Sequence, residues 1–362
     1  MNRDYKRIVV ISNMYPSASS PNFGVFVKRF VEGLKGVFEI KLIVIKGRKC
    51  CLIQKAWSYS FFYFKIIVNF LMSKKTDLFY VHYANHSLLP LRLLPNSYLS
   101  FVIVNFHGGD LFPENKFAEL FSRYAYPIIR KVKGIVVPSE YFKREVVSRL
   151  NVSKDKVFVS PSGGVDCDLF IPSKSKNTVN KFVNIGYVGR LDKGKGFNLL
   201  IDAFDTLISM NIKCVLHVVG GGAFFNKYKT QIFEMGYSNL VVFYGMQPQN
   251  KLPSIFNKFD VFIFPSVRES LGLVGIESLA CGVPVIGSDI GGISSYVENG
   301  QNGYLFEANS SKELTNSIIR YINLSVKEKK DMKIKARKSA LVFDAKKVQK
   351  ELVSYLKSQV SL

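Results

Sequence analysis

Hydrophobic residues fall along this chain in short, β-branched runs separated by stretches of helical period. In the first half the runs lie at 7–12, 39–45, 78–82, 101–106, 134–137 and 157–160, and most of their positions are apolar. Such runs mark strands buried on both faces, as in a parallel sheet, rather than strands with one wet side. Helix-like segments stand between them, beginning at 24–34 after the loop MYPSASSPNF. At 171–180, IPSKSKNTVN, the pattern gives way to a polar stretch that reads as a linker. It resumes at 182–188, 215–219, 241–244, 261–264 and 283–287, and from about 310 onward the sequence is helical and rich in Lys, ending in 345–360. This alternation predicts an α/β fold of two doubly wound domains. The expected division is a first domain at 1–170, a linker at 171–180 and a second domain at 181–341, with a C-terminal helix at about 342–362 packing back on the first.

The stretch 260–306 carries the most chemistry. A strand stopped by Pro265 and Ser266 leads into a turn at Glu269, Ser270, Leu271 and Gly272, then a helix to Cys281, a stop at Gly282 and a further strand. In open α/β sheets ligands sit beyond the C-terminal strand ends, where helix N-termini present free N–H groups. Residues 270–273 supply such groups, and Gly272 and Gly275 would let a pyrophosphate approach the backbone. Glu269 and Glu277 would repel that phosphate unless they faced the hydroxyls of a ribose or sugar. Taken singly, each also fits a solvated surface carboxylate. A second candidate is YVGRLDKGKGFNLL at 187–200, which places Arg190 and Lys195 in a glycine-rich loop between a strand and a helix. Arg forks onto phosphate oxygens and Lys adds a point charge. The spacing is not that of the nucleotide-hydrolase phosphate loop, and in isolation the segment also fits a solvated basic turn. Val219-Gly220-Gly221-Gly222 reads as a tight turn.

Composition narrows the partners. With 362 residues and 48% apolar content, the chain can build two cores. Its formal charge of +23 lies mainly in the first half, which favours an anionic partner: nucleic acid, anionic lipid or a phosphorylated substrate. Between 28 and 75 the basic residues outnumber the acidic ones 11 to 2 and interleave with Trp57, Tyr59, Phe61, Phe62, Tyr63 and Phe64. That segment fits a helix covering the first sheet, a contact with an anionic membrane surface, or both on different faces. The cysteines at 50, 51, 167, 214 and 281 have no paired metal spacing, which suits a reduced cytosolic setting. No run reaches transmembrane length: the most apolar, 59–72, contains Lys65.

Set in order, these motifs resemble the retaining glycosyltransferases of family 4, whose architecture is GT-B, two Rossmann-like domains facing a central cleft. The Glu, seven residues, Glu pattern is matched by Glu269 and Glu277, followed by Cys281-Gly282, Pro284 and Gly291-Gly292. The Gly-Arg-Leu, three residues, Lys-Gly pattern is matched by Gly189, Arg190, Leu191, Lys195 and Gly196. Tyr15-Pro16, Gly24, His107-Gly108-Gly109-Asp110, Pro138-Ser139 and Gly164-Val165-Asp166 extend the likeness over nearly the whole chain.

The resemblance implies an enzyme that moves a sugar, with retention, from a nucleotide diphosphate sugar to an acceptor. A UDP-sugar is expected before GDP-mannose, with no cofactor and no metal. Arg190 and Lys195 would bind the donor diphosphate and Glu277 the ribose. Glu269 and the backbone of Ser270, Leu271, Gly272, Leu273 and Val274 would hold sugar and phosphates, His107 would stand near the sugar, and Gly24 would approach the diphosphate. Retention in the family is explained by front-face attack, the leaving phosphate helping to take the acceptor proton. The expected partners are a glycan or lipid-linked acceptor and an anionic membrane surface, with no nucleic acid; the expected location is cytoplasmic, peripheral on the inner face of the cytoplasmic membrane. Two features depart from the family. Ser270-Leu271-Gly272 replaces its Gly-Phe-Gly, and Ile293 to Tyr296 stand where a Pro and a Glu are common. Asp166-Cys167-Asp168 has the form of an Asp-x-Asp metal motif but is read as a decoy. Two alternatives to a transferase are another GT-B enzyme, such as a nucleotide-sugar epimerase or hydrolase, and a basic nucleic-acid-binding protein, which would leave the glutamates and glycine loops unexplained.

Overall fold

The computed structural model describes residues 7–21, 23–48, 51–74, 77–113, 116–173 and 182–360, without the side chains of 117 and 360. The expected linker at 171–180 lies outside the described residues from 174 onward. The chain divides into two compact units, Met1–Gly163 with Lys347–Leu362, and Gly164–Lys346.

The first unit is built on six parallel strands, β1 (Arg7–Tyr15), β2 (Glu39–Lys46), β3 (Leu78–His82), β4 (Val102–Asn105), β5 (Gly134–Val137) and β6 (Val157–Val159). Their order is β2-β1-β3-β4-β5-β6. β3 and β5 are buried at every residue, which is why they read as unbroken apolar runs. One face is covered by the helix Leu52–Leu71, whose Phe62, Ile66 and Phe70 join Ile43, Ile45 and Phe79 in a core. Phe70 stacks on Phe79 with centroids 3.7 Å apart. The other face buries Val27, Val31 and Leu34 together with Leu352 and Leu356 of the C-terminal helix Ala345–Val360.

The second unit also holds six parallel strands: β7 (Val183–Val188), β8 (Cys214–Val219), β9 (Val241–Gly245), β10 (Val261–Phe264), β11 (Val285–Ser288) and β12 (Gly303–Phe306), in the order β12-β11-β10-β7-β8-β9. The sequence pattern announced five of them. β12 escaped because it is four residues long and opens on a glycine; a Cβ at Gly303 would fall 1.8 Å from the carbonyl oxygen of Val285 in the neighbouring strand.

The first boundary also falls earlier than 170. The Val165 N–H donates to Phe343 O, and the Ala345 N–H donates to Val165 O, both at 2.9 Å. Arg337 donates to the carbonyls of Cys167, Phe170 and Ala280. Residues 164–170 and 342–346 are thereby tied into the second unit.

Candidate functional site

In the second sheet the chain runs outward through β7, β8 and β9, then returns to the other side of β7 with β10. The topological switch point therefore lies between β7 and β10, where doubly wound sheets open a crevice at the carboxyl ends of the strands. The loops leaving those two strands carry the candidates. They are held together closely: the Val267 N–H donates to Gly194 O at 3.0 Å, and a Cβ on Gly196 would fall 1.8 Å from Pro265 O. Only glycine permits that approach.

Lys195 Nζ donates to Glu269 Oε1 at 2.5 Å, and Ser266 Oγ donates to the same oxygen at 3.1 Å. Both members of the ion pair are largely shielded, with side chains 25% and 16% exposed. Arg190 reaches solvent and pairs with Asp192 at 2.9 Å. Asp192 also accepts the Ala223 N–H at 2.8 Å, fastening the Gly220-Gly221-Gly222 loop beneath. That loop is more than a tight turn: Gly220 and Gly222 have φ of +131° and +153°, and their missing side chains let the backbone lie against Gly189 and Leu191.

Ser270, Leu271 and Gly272 lead into the helix Leu273–Ala280, which places Leu273 and Val274 in its first turn. No side chain caps this helix; the Gly275 N–H donates to Gly272 O at 3.0 Å, and a helix N-terminus of this kind favours an anion. Glu277 lies on the same helix, 8% exposed, with Oε1 accepting a hydrogen bond from Gln249 Nε2 at 3.0 Å. The Gly291-Gly292 pair sets the height of the loop. The Gly292 N–H donates to Glu269 O at 3.0 Å, and a Cβ on Gly292 would meet the Leu271 backbone at 2.4 Å.

In the first unit the switch point lies between β1 and β3. Gly24, with φ +75°, turns the loop after β1 into the helix Val25–Leu34, packed so closely on Met14 that a Cβ would fall 2.6 Å from its carbonyl carbon. Phe26, two residues on, covers His107 with ring centroids 4.3 Å apart. His107 follows β4, and its Nε2 lies 3.0 Å from His82 Nδ1 at the end of β3. Burial drives the His107 imidazole down to about 3 and holds His82 well below the usual histidine range, with His107 itself a lesser cause for His82. Both rings are therefore neutral at physiological pH, and the hydrogen bond between them carries a single proton. Asp110 accepts the N–H groups of His107 and Gly108 at 3.0 and 2.8 Å; burial nonetheless raises its carboxyl to about 6.

The structure thus brings Lys195, Glu269, Ser270, Leu271, Gly272, Leu273, Val274 and Glu277 to one end of the second sheet, with Arg190 at its rim, and Gly24 and His107 to one end of the first. Sequence reasoning missed Asp192, Gln249 and His82, and took Ser266 only as a strand stop. Asp192 stood in the basic loop already singled out. Gln249 carried no local signal. Asp166 and Asp168 serve the backbone and the surface: Asp166 Oδ1 accepts the N–H groups of Asp168 and Leu169, and Asp168 pairs with Lys346 at 2.5 Å.

Two Rossmann-like units, each with a six-stranded parallel sheet and glycine-shaped loops at its switch point, define the GT-B class. Residues 21–169 match the family model Glycosyltransferase Family 4 and residues 172–339 match Glycosyl transferases group 1, so the chain belongs to this family of glycosyltransferases. It is 30% identical over 199 residues to a D-inositol 3-phosphate glycosyltransferase of Corynebacterium aurimucosum, covering 51% of this chain and 47% of that protein. It is 29% identical over 200 residues to the capsular polysaccharide biosynthesis glycosyltransferase CapM of Staphylococcus aureus, covering 52% of each. The chain thus spans about half the length of these two curated relatives. Among solved structures, Anabaena Alr3699/HepE in complex with UDP shares the fold, with a TM-score of 0.74 at 20% identity over 97% of this chain and 99% of that one.

Proposed function

We propose that this glycosyltransferase is a retaining enzyme that transfers a sugar from a nucleotide diphosphate sugar, a UDP-sugar before GDP-mannose, without a metal ion. The acceptor is a glycan or a lipid-linked precursor of a cell-surface polymer, and the enzyme works peripherally on the inner face of the cytoplasmic membrane. The observation that carries the donor reading is the Lys195–Glu269 pair beside the uncapped N-terminus of Leu273–Ala280. A diphosphate seated there meets a cation and preorganised N–H donors at the place where charge accumulates as the sugar–phosphate bond breaks. Arg190 adds a forked donor from the rim. Lys195 turns from Glu269 to the phosphate, and the freed carboxylate accepts from hydroxyls of the transferred sugar. Glu277, oriented by Gln249, is left to bind the ribose. His107, neutral and hydrogen-bonded to His82, offers a dipole rather than a charge.

The UDP carried by the Anabaena structure supports the choice of base, and the name of the Staphylococcus aureus relative supports a cell-surface product. The test is a melting-temperature titration with UDP, GDP, ADP and their sugars, run with a chelator. A rise with one base, abolished in Lys195→Ala, is the expected outcome, and no rise with any nucleotide overturns the donor site. The anomeric configuration of the product, read by NMR coupling constants, tests retention.

A further inference from the structure

The helix Leu52–Leu71 has two apolar faces, and the fold uses one of them. Phe62, Ile66 and Phe70 are buried against the first sheet, with Tyr59 and Tyr63 beside them. On the opposite side Ile53, Trp57, Phe61, Phe64 and Leu71 are between 57% and 75% exposed in the folded chain. At 100° per residue these five, with the half-buried Val68 among them, fall within about 80° of arc. They form one stripe along the whole helix. Packing within this chain does not account for it, since the sheet-facing residues already do that work.

The stripe sits in a basic setting. From residue 40 to residue 76 the sequence has no Asp or Glu, and Lys41, Lys46, Arg48, Lys55, Lys65 and Lys74 are all exposed. Lys65 lies at the margin of the stripe with its Nζ 4.3 Å from the Phe61 ring centroid, its stem along the apolar surface and its charge at the edge. Among the described residues no helix is long and apolar enough to cross a membrane. An aromatic stripe with Lys65 at its margin, in a segment without acidic residues and on a helix that does not span, suits the boundary between headgroups and acyl chains. A second copy of the chain fits less well, because pairing two segments that carry only basic charge would bring like charges together.

We infer that the outward face of Leu52–Leu71 is the element that docks this protein on an anionic lipid surface, with Ile53, Trp57, Phe61, Phe64 and Leu71 entering the interface and Lys65, with the basic residues of the same segment, meeting the headgroups. The assignment rests on the peripheral-membrane part of the proposed function and is independent of the donor chemistry. It places a lipid-linked acceptor and the enzyme on the same surface.

Trp57 is the chain's single tryptophan, so its fluorescence reports this contact directly. The experiment titrates the full chain, without donor, with phosphatidylcholine vesicles containing or lacking phosphatidylglycerol, following Trp57 emission and sedimentation. Expected are a blue shift and co-sedimentation with the anionic vesicles, release at high salt, and an affinity lowered about tenfold or more in Phe61→Ser/Phe64→Ser, whose exposed sites leave the core intact. Unchanged Trp57 emission overturns the assignment. Equal binding to neutral vesicles overturns its anionic character. A shift that grows with protein concentration in the absence of lipid overturns it in favour of self-association. None of these outcomes touches the nucleotide titration, so loss of this inference leaves the transferase reading in place.

Discussion

The hydroxyl of Tyr296 donates to the carbonyl of Gly272 at 3.1 Å, joining the turn after Gly291-Gly292 to the residue that opens the helix Leu273–Ala280. Tyr296 is buried, and its ring lies over the two glycines of that helical entry; a Cβ on Gly275 would come within 2.2 Å of its hydroxyl. Tyr296→Phe removes only the oxygen; the Gly272 carbonyl keeps the Gly275 N–H at 3.0 Å and loses its second donor, a loss of about 0.5–1.5 kcal/mol. The expected result is a lower melting temperature and weaker donor binding, measured by calorimetric titration. Gly275→Ala, which drives a methyl into the hydroxyl, should cost more than Tyr296→Phe in both readouts.

The Lys195–Glu269 contact gives the sharpest kinetic prediction. If Lys195 stabilises the departing diphosphate, Lys195→Ala should lower kcat by about 10²–10³, as for a lost preorganised donor, while the protein stays folded. Arg190→Ala, at a solvent-facing site already paired with Asp192, should act in the same direction with a smaller effect. Steady-state kinetics with circular dichroism as the folding control decide it; near-wild-type transfer by both variants would remove these residues from the site.

Glu277 and Gln249 make a prediction about the ribose. A site built to hydrogen-bond a hydroxyl rejects the analogue that lacks it, because its own buried group is then left unpaired. The wild type should therefore bind a nucleoside diphosphate more tightly than its 2′- or 3′-deoxy counterpart, and Glu277→Ala should erase the difference. Gln249→Ala, which removes one hydrogen bond from the carboxylate, should weaken binding of the parent nucleotide and keep part of the discrimination. Competition binding with the three nucleotides measures each step.

The sequence made the strands legible wherever burial on both faces produced unbroken apolar runs, as in Leu78–His82 and Val261–Phe264. It made the glycine loops legible because positions such as Gly24, Gly196 and Gly272 combine positive φ with contacts that no side chain allows. The pairings were not legible. His82 and His107 are 25 residues apart, Gln249 and Glu277 28, and Lys195 and Glu269 74. Strand order brings these residues together, and no local period encodes strand order. The same cause moved the domain edge: Arg337 reaches back to Cys167 and Phe170 across more than 160 residues.

The neutral histidine pair sets the last prediction, on pH and stability. Both imidazoles have folded pKa values below the unfolded value of about 6.5. As pH falls through that value the unfolded chain therefore gains up to two protons that the native state refuses, and the native state loses stability. Asp110 works in the opposite sense: its folded pKa of about 6 exceeds the unfolded one, so near pH 5 the native state holds about one proton that the unfolded state lacks. Two against one leaves a net proton uptake on unfolding around pH 5, so these three groups together make stability fall as pH falls through that range. Replacing His82 with phenylalanine removes one of the two histidine terms and balances the remaining one against Asp110. Urea denaturation of the wild type and His82→Phe at pH 7, 6 and 5 should show the variant losing less stability than the wild type toward the acid end. Equal slopes would mean that His82 takes up its proton in the folded protein, and that the pair at the end of β3 and β4 is charged rather than neutral.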